Sequence, residues 1–152
     1  MLTDFQEESL TDEWLEEAMP LLVLHWREIA HYQDLMLEPD LSVYRKAEEN
    51  GMLKVFTVRD TTSHVLLGYA LFFVRNNPHY ASSLQAVQDI LFIRPEARGN
   101  TGRRFIQWCD QRLTAMGVQA VYHHVKATHN FGPLLERMGY KLVDLIYTRR
   151  LD

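Results

Sequence analysis

The sequence contains little that would cross-link the chain or hold it in a membrane. Cys109 is the only cysteine among 152 residues, so no disulfide can form within the chain. No apolar run approaches the ~20 residues that a membrane-spanning helix needs. The first ten residues, MLTDFQEESL, are acidic where a signal peptide would be basic and then apolar. These absences predict a soluble, cytoplasmic protein with no membrane partner.

Positive charge is also scarce. The chain has 16 lysines and arginines against 20 aspartates and glutamates, for a net charge of −4. It therefore lacks the overall basic field that favours nucleic-acid binding, and a nucleic-acid partner is disfavoured. One segment departs from this balance, because only Glu96 opposes a group of four arginines: Arg94, Arg98, Arg103 and Arg104. This local basic cluster is the first sign of a site.

No linker, repeat or low-complexity segment divides the chain, and 47% hydrophobic residues are enough for one core. We therefore expect a single domain over residues 1–152. After a first helix in the N-terminal segment, we expect a short second helix that is capped by Ser42 and ended by Gly51. Periodicity and turn residues predict further helices at 11–29, 101–116 and 131–139, and strands at 52–60, 65–75, 84–93, 118–127 and 140–151, with a further candidate strand at 4–10. An antiparallel meander followed by a βαβ unit predicts a mixed α/β sheet.

The stretch DILFIRPEARGNTGRRFI, from Asp89 to Ile106, joins an apolar strand to an amphipathic helix through a basic turn with two glycines. Unpaired amides at such a helix start favour anions, glycines allow a close approach, and arginines favour phosphate. The turn lacks the lysine of a P-loop and the glycine order of a dinucleotide fingerprint. Two interpretations stay open here: an ordinary strand–helix connection with surface arginines, or a pyrophosphate site.

The segment LFIRPEARGNTGRRFIQWCDQRL, followed by GVQAVYHHV and LLERMGY, resembles the GNAT (GCN5-related) N-acetyltransferases. Their signature is a strand ending in x-x-V-x-P, a Q/R-x-x-G-x-G/A turn that opens a helix, then a strand and a helix ending in GF or GY. The resemblance covers nearly the whole chain and is greatest to a small phage-type branch with an R-G-x-x-G turn. It implies a GNAT-type mixed, mostly antiparallel central sheet with helices on both faces and a splayed strand pair that binds acetyl-CoA.

The resemblance also implies where acetyl-CoA, the co-substrate, would lie. Its pantetheine would follow strand 84–93 and take backbone groups from Phe92 and Ile93. Its phosphates would be held by the turn residues Arg98, Gly99, Asn100, Thr101, Gly102 and Arg103. The turn is one residue shorter than the family's usual R-G-x-G-x-G. Leu135 stands where the family usually has a tyrosine that protonates the departing thiolate.

A neutral amine is needed for attack, so an acetyltransferase of amines benefits from a base. Period-two alternation places Val87, Asp89, Leu91 and Ile93 on one face, and apolar neighbours strengthen a carboxylate as a proton acceptor. Asp89 also stands where several relatives carry a glutamate base. It is the candidate base, and a purely structural hydrogen-bonding role is the alternative.

Adjacent residues of a strand face opposite sides of a sheet, so one of His123 and His124 can reach the cleft as a proton relay. Tyr122 shares the face of His124 and is the candidate substitute for the missing acid. Adjacent strand histidines do not chelate one metal, and no H-x-x-x-H or C-x-x-C pattern occurs, so no metal site is predicted.

The sequence thus predicts an N-acetyltransferase that passes the acetyl group of acetyl-CoA to a primary amine by direct attack. The alternative, favoured by Leu135, is a catalytically weak acyl-CoA-binding or protein-interaction module of the same fold. The acceptor stays open between a small-molecule amine and a protein amine; in the family, the region of Trp26, His31 and Tyr32 borders it. Only 13 residues follow Gly139, too few for the family's usual last pair of strands. This predicts an open cleft or one completed by a second subunit in a homodimer.

Overall fold

The computed structural model describes residues 1–152 and forms one five-stranded sheet with four helices and a short 3-10 turn at Pro95–Ala97. No helix is both long enough and apolar enough to cross a bilayer. The elements, in chain order, are β1 (Thr3–Glu8), α1 (Asp12–Ile29), α2 (Leu41–Glu49), β2 (Leu53–Asp60), β3 (Leu66–Asn77), β4 (Tyr80–Ile93), α3 (Thr101–Ala115), β5 (Ala120–Tyr122) and α4 (Gly132–Arg137).

The strands lie in the sheet in the order in which they occur along the chain. Strands β1 to β4 pair antiparallel, whereas β5 runs parallel to β4. Helix α3 makes the crossover from β4 to β5, as a parallel pair requires. The predicted fold class, a mixed and mostly antiparallel sheet flanked by helices, is confirmed.

Two apolar layers cover the two faces of the sheet, because alternate strand residues point to opposite sides. On one face, Phe56, Ala70 and Phe72 pack against Phe105 and Leu113 of α3. On the other, Val55, Tyr69 and Leu71 pack against Trp14 and Leu21 of α1. Cys109 belongs to the α3 layer, where burial raises the pKa of its thiol.

A β-bulge interrupts β4 at Asp89. Leu71 lies opposite Ile90 and Phe72 opposite Gln88, so Asp89 is an extra residue in the ladder. The bulge shifts the alternation that follows it. Ile90 packs in the α1 layer and Leu91 in the α3 layer, while Asp89 contacts α2. The prediction that Asp89 shares a face with Leu91 and Ile93 is therefore wrong.

Three further predictions about the helices and strands also need correction. Strand β4 begins at Tyr80 rather than at residue 84, and only a tight turn at residues 78–79 separates it from β3. Asp40, not Ser42, caps α2, and its carboxylate accepts from the Ser42 amide at 3.1 Å. The strand predicted at 118–127 is only three residues long.

Residues 140–151 form no strand, although their sequence alternates like one. A strand needs a partner edge, and no strand of the chain pairs with this segment.

Candidate functional site

Strands β4 and β5 separate at one end and leave a cleft. Their last paired residues are Val87 and Tyr122, yet β4 continues to Ile93. A cavity of about 520 Å³ opens beside residues 88–93 of β4 and is bounded by α1, the turn before α3 and the segment leading into α4. The splayed pair that the resemblance implies is thus present.

The backbone of β4 presents hydrogen-bonding groups to this cleft. The Arg94 amide donates to the Leu67 carbonyl at 2.8 Å, so by antiparallel alternation the amide and carbonyl of Phe92 also face β3. The backbone groups of Leu91 and Ile93 then face the opening. Sequence reasoning assigned backbone groups to Phe92 and Ile93; the assignment to Phe92 is corrected to Leu91, and Phe92 lines the cleft with its side chain.

The turn before α3 supplies a second set of donors. The five consecutive amides from Gly99 to Arg103 have no hydrogen-bond partner in the chain, and the next amide, of Arg104, donates to the Asn100 carbonyl at 3.2 Å. Gly99 has φ of +91°, a left-handed conformation that a side chain would strain. A Cβ atom on Gly102 would meet only Ile93 Cδ1, at 4.0 Å, so the approach to this residue is open. The turn therefore offers unpaired amides in the positive field of a helix start, which suits a diphosphate.

The two arginines of the turn, Arg98 and Arg103, differ in whether the chain supplies them with hydrogen-bond or ionic partners. Arg98 donates to both carboxylate oxygens of Glu28 at 2.9 Å and to the Ile93 carbonyl at 2.8 Å. This arginine ties α1 to the end of β4, so phosphate would compete with Glu28 for its guanidinium. Arg103 is exposed and takes part in none of the chain's salt bridges, so its guanidinium is free for phosphate.

Asp89 lines the same cleft and is oriented from α2. Tyr44 donates its hydroxyl to Asp89 Oδ2 at 2.7 Å, while Oδ1 has no partner in the chain. Burial and the neighbouring carboxylate raise the pKa of Tyr44, so the phenol keeps its proton and remains the donor. The bulge thus leaves one carboxylate oxygen of Asp89 available at the cleft.

His25 is a cleft residue that sequence reasoning missed. It is buried on α1, its Nδ1 lies 3.1 Å from the Tyr69 hydroxyl, and its ring stacks on Phe92 with centroids 5.0 Å apart. Burial lowers the pKa of His25 to about 4, so the ring is neutral near pH 7. A sequence signal existed, because His25 continues the buried helical series of Trp14, Ala18 and Leu21.

The candidate proton donors beyond β5 separate into two groups. His124 lines the cleft, whereas Tyr122 is not among its lining residues, so Tyr122 as a substitute acid stays a prediction. His123 faces the other way, packs on Phe72 and binds the Gln88 side chain at 2.8 Å.

Leu135 is buried and offers no hydroxyl. The other polar side chains that line this end of the cleft are Lys126, His129 and Asn130. No three His, Cys, Asp or Glu side chains converge as metal ligands.

Comparison with known proteins identifies the fold. No family model matches the sequence. No curated protein matches it either. Among solved structures, a ribosomal-protein-alanine N-acetyltransferase from Brucella melitensis biovar Abortus 2308 is similar over 99% of this chain and 100% of its own, with a TM-score of 0.72 and 14% identity.

Two further structures extend this likeness. AAC(6′)-Iy, solved with the bisubstrate analogue CoA-S-monomethyl-acetylneamine, covers 100% of this chain and 99% of its own, with a TM-score of 0.70 and 15% identity. A transcriptional regulator from Bacillus halodurans C-125 covers 99% of this chain and 100% of its own, with a TM-score of 0.77 and 13% identity. At these identities the comparisons show the fold alone, which is the GNAT fold.

Proposed function

We propose that this chain is an acetyl-CoA-dependent N-acetyltransferase that passes the acetyl group to a primary amine by direct attack. The observation that carries the proposal is the continuity of two donor sets. The strand backbone freed beyond Val87 leads directly to the unpaired amides of Gly99 to Arg103. A long ligand with an amide-containing arm and a diphosphate matches this arrangement, and a plain strand–helix connection would not need it.

Each part of the cleft has a role in this proposal. Leu91 and Ile93 hydrogen-bond the pantetheine arm, and the turn amides with Arg103 hold the diphosphate. Acetyl-CoA supplies the acetyl group as a thioester, whose C–S bond breaks as the amine nitrogen forms its bond to the acetyl carbon. Asp89, held by Tyr44, takes the proton that the amine loses, directly or through one water.

The missing tyrosine affects only the departing thiol. A thiol with a pKa of ~8.5 is a good leaving group, so transfer does not depend on a strong general acid. His124 is the side chain at the cleft that can relay a proton there.

A second function, an acyl-CoA-binding or protein-interaction module with weak catalysis, is favoured by the burial of Leu135 in that position. One neighbour of the same fold that is named a transcriptional regulator is compatible with it.

Release of free thiol separates the two functions. We expect acetyl-CoA to bind saturably in calorimetry and thiol to appear faster with a suitable amine than by hydrolysis alone. Asp89→Asn should lower kcat at neutral pH by at least about tenfold, within the range for loss of a general base, while the Kd of acetyl-CoA stays the same. Asp60→Asn, at the exposed β2–β3 turn, is the matched control and should retain activity.

Three other outcomes would each contradict a different part of the proposal. Binding of acetyl-CoA without thiol release for any amine would favour the binding module. No heat and no saturation at millimolar acetyl-CoA would remove both the acetyl transfer and the acyl-CoA-binding module, and would leave only the protein-interaction module. Full activity of Asp89→Asn would leave Asp89 with the structural role alone.

A further inference from the structure

A second cavity, of about 400 Å³, lies on the α1 face of the sheet. It is a half-open pocket bounded by α1, the loop that connects α1 to α2, the start of α2, and strands β3 and β4. Thirteen of its 15 lining residues are hydrophobic, among them Trp14, Leu22 and Trp26, and its one charged side chain is that of Glu38. Its volume is within the range of sites for small organic ligands.

This apolar cavity adjoins the cleft at the bulge. Ile90 lines both spaces, and Tyr44 lines the apolar cavity while its hydroxyl donates to Asp89 in the cleft. The bulge is responsible, because it turns Asp89 and Ile90 toward the helices α2 and α1 at consecutive positions. A ligand seated in the cavity would therefore place one end beside Asp89.

From this arrangement we propose the class of acceptor: a primary amine attached to a bulky apolar group, aryl or branched alkyl, with the apolar group in the second cavity. The inference rests on the proposed function, since it names the acceptor for the same reaction. Asp89 lies beside this cavity and Glu38 lines it. These two carboxylates suit a ligand with a single cationic end. A polyamine or an amino sugar would have to lose the hydration of several polar groups against apolar walls, which is costly without partners.

The test compares 2-phenylethylamine with ethylamine and spermidine. We expect kcat/KM for 2-phenylethylamine, measured by thiol release, to exceed that for the other two at least tenfold. Leu35→Gln, on the cavity wall, should raise the KM for 2-phenylethylamine severalfold. Val43→Gln is its matched control, because both side chains belong to residues that are 51% exposed and Val43 lines neither cavity.

A binding measurement without acetyl-CoA makes the test independent of catalysis. Trp14 and Trp26 line the apolar cavity and Trp108 does not. Titration with 2-phenylethylamine should change tryptophan fluorescence saturably in the unmodified protein and in Trp108→Phe, with a smaller amplitude in Trp26→Phe.

The inference is overturned if spermidine or ethylamine is the better substrate, or if fluorescence shows no saturation; thiol release with any amine would still support the proposed function. Saturable binding without thiol release from any amine would instead overturn the proposed function and support the cavity as an apolar-amine site.

Discussion

Two histidines, His25 buried and His123 half-buried, couple the stability of this fold to pH. His25 is enclosed between Tyr69 and Phe92, and His123 between Phe72 and Tyr140. Burial lowers the pKa of each ring to about 4, from an ordinary value of 6.5. Both rings are therefore neutral in the folded chain under conditions where the unfolded chain already takes up protons.

We predict that the free energy of unfolding falls as pH decreases from about 6.5 toward 4. In that window the unfolded chain binds more protons than the folded one, so each histidine removes up to ~1.4 kcal/mol per pH unit. Above about pH 6.5 both histidines are neutral in the folded and the unfolded chain, so they no longer lower the free energy of unfolding. Urea unfolding at a series of pH values should show the slope, and His25→Gln or His123→Gln should each reduce it. An unchanged slope in both variants would contradict the prediction.

At the residue scale, the sequence predicted candidate residues from their chemical type and from the family resemblance. It did not predict contacts between residues that are distant in the chain. Asp89 was identified by its residue type and position, but its face was wrong because one bulged residue reverses the alternation. The hydrogen bonds of Tyr44 and His25 were missed because their partners, Asp89 and Tyr69, lie 45 and 44 residues away. No local pattern records a hydrogen bond between distant elements.

At the scale of elements, the turn into α3 depends on the conformation of one glycine. Gly99 has φ of +91° and Gly117, just after α3, has φ of +88°. A Cβ atom on either would meet nothing within 4 Å, so alanine would strain both turns through the backbone alone. The left-handed conformation costs an alanine ~1 kcal/mol or more, and the two positions are a matched pair.

We predict that Gly99→Ala weakens acetyl-CoA binding about tenfold or more, because the strained turn can no longer hold its five amides in one orientation. Gly117→Ala should lose similar stability and bind acetyl-CoA normally. Calorimetry gives the Kd, and thermal unfolding gives the stability of both variants. Equal affinity of the two variants would contradict the assignment of the turn to the diphosphate.

Element prediction from sequence succeeded where periodicity alone decides the structure. Helix α3 and strands β2 and β3 lie close to their predicted bounds because their apolar spacing is strong. The prediction failed for β5 and for residues 140–151, whose alternation is also strong. Whether an alternating segment becomes a strand depends on an available edge, which is a property of the whole sheet.

At the scale of the whole molecule, the segment 141–152 is the largest departure from a closed core. Six of its apolar residues are at least 68% exposed: Leu142, Val143, Leu145, Ile146, Tyr147 and Leu151. Its side chains contact the loop after α1 through Thr148 with Tyr32 at 3.1 Å and Arg150 with Asp34 at 2.6 Å. Soluble monomers seldom expose a contiguous apolar segment of this kind, so these residues are suited to an interface.

We predict that two copies of the chain associate through this segment, as the homodimer expected from sequence. The alternating residues can pair with a partner strand that the chain itself does not supply, and their apolar side chains would be buried. Light scattering at micromolar concentration should give twice the 17.9 kDa chain mass.

The double variant Ile146→Asp, Tyr147→Asp should be monomeric, because burying two carboxylates in an apolar interface is unfavourable. Leu2→Asp is the matched control, since Leu2 is 77% exposed but lies outside the segment, and it should remain dimeric. A mass of 17.9 kDa for the unmodified protein would refute the dimer. Neither cavity is lined by the segment 141–152, so that result would leave the proposed acetyl transfer intact.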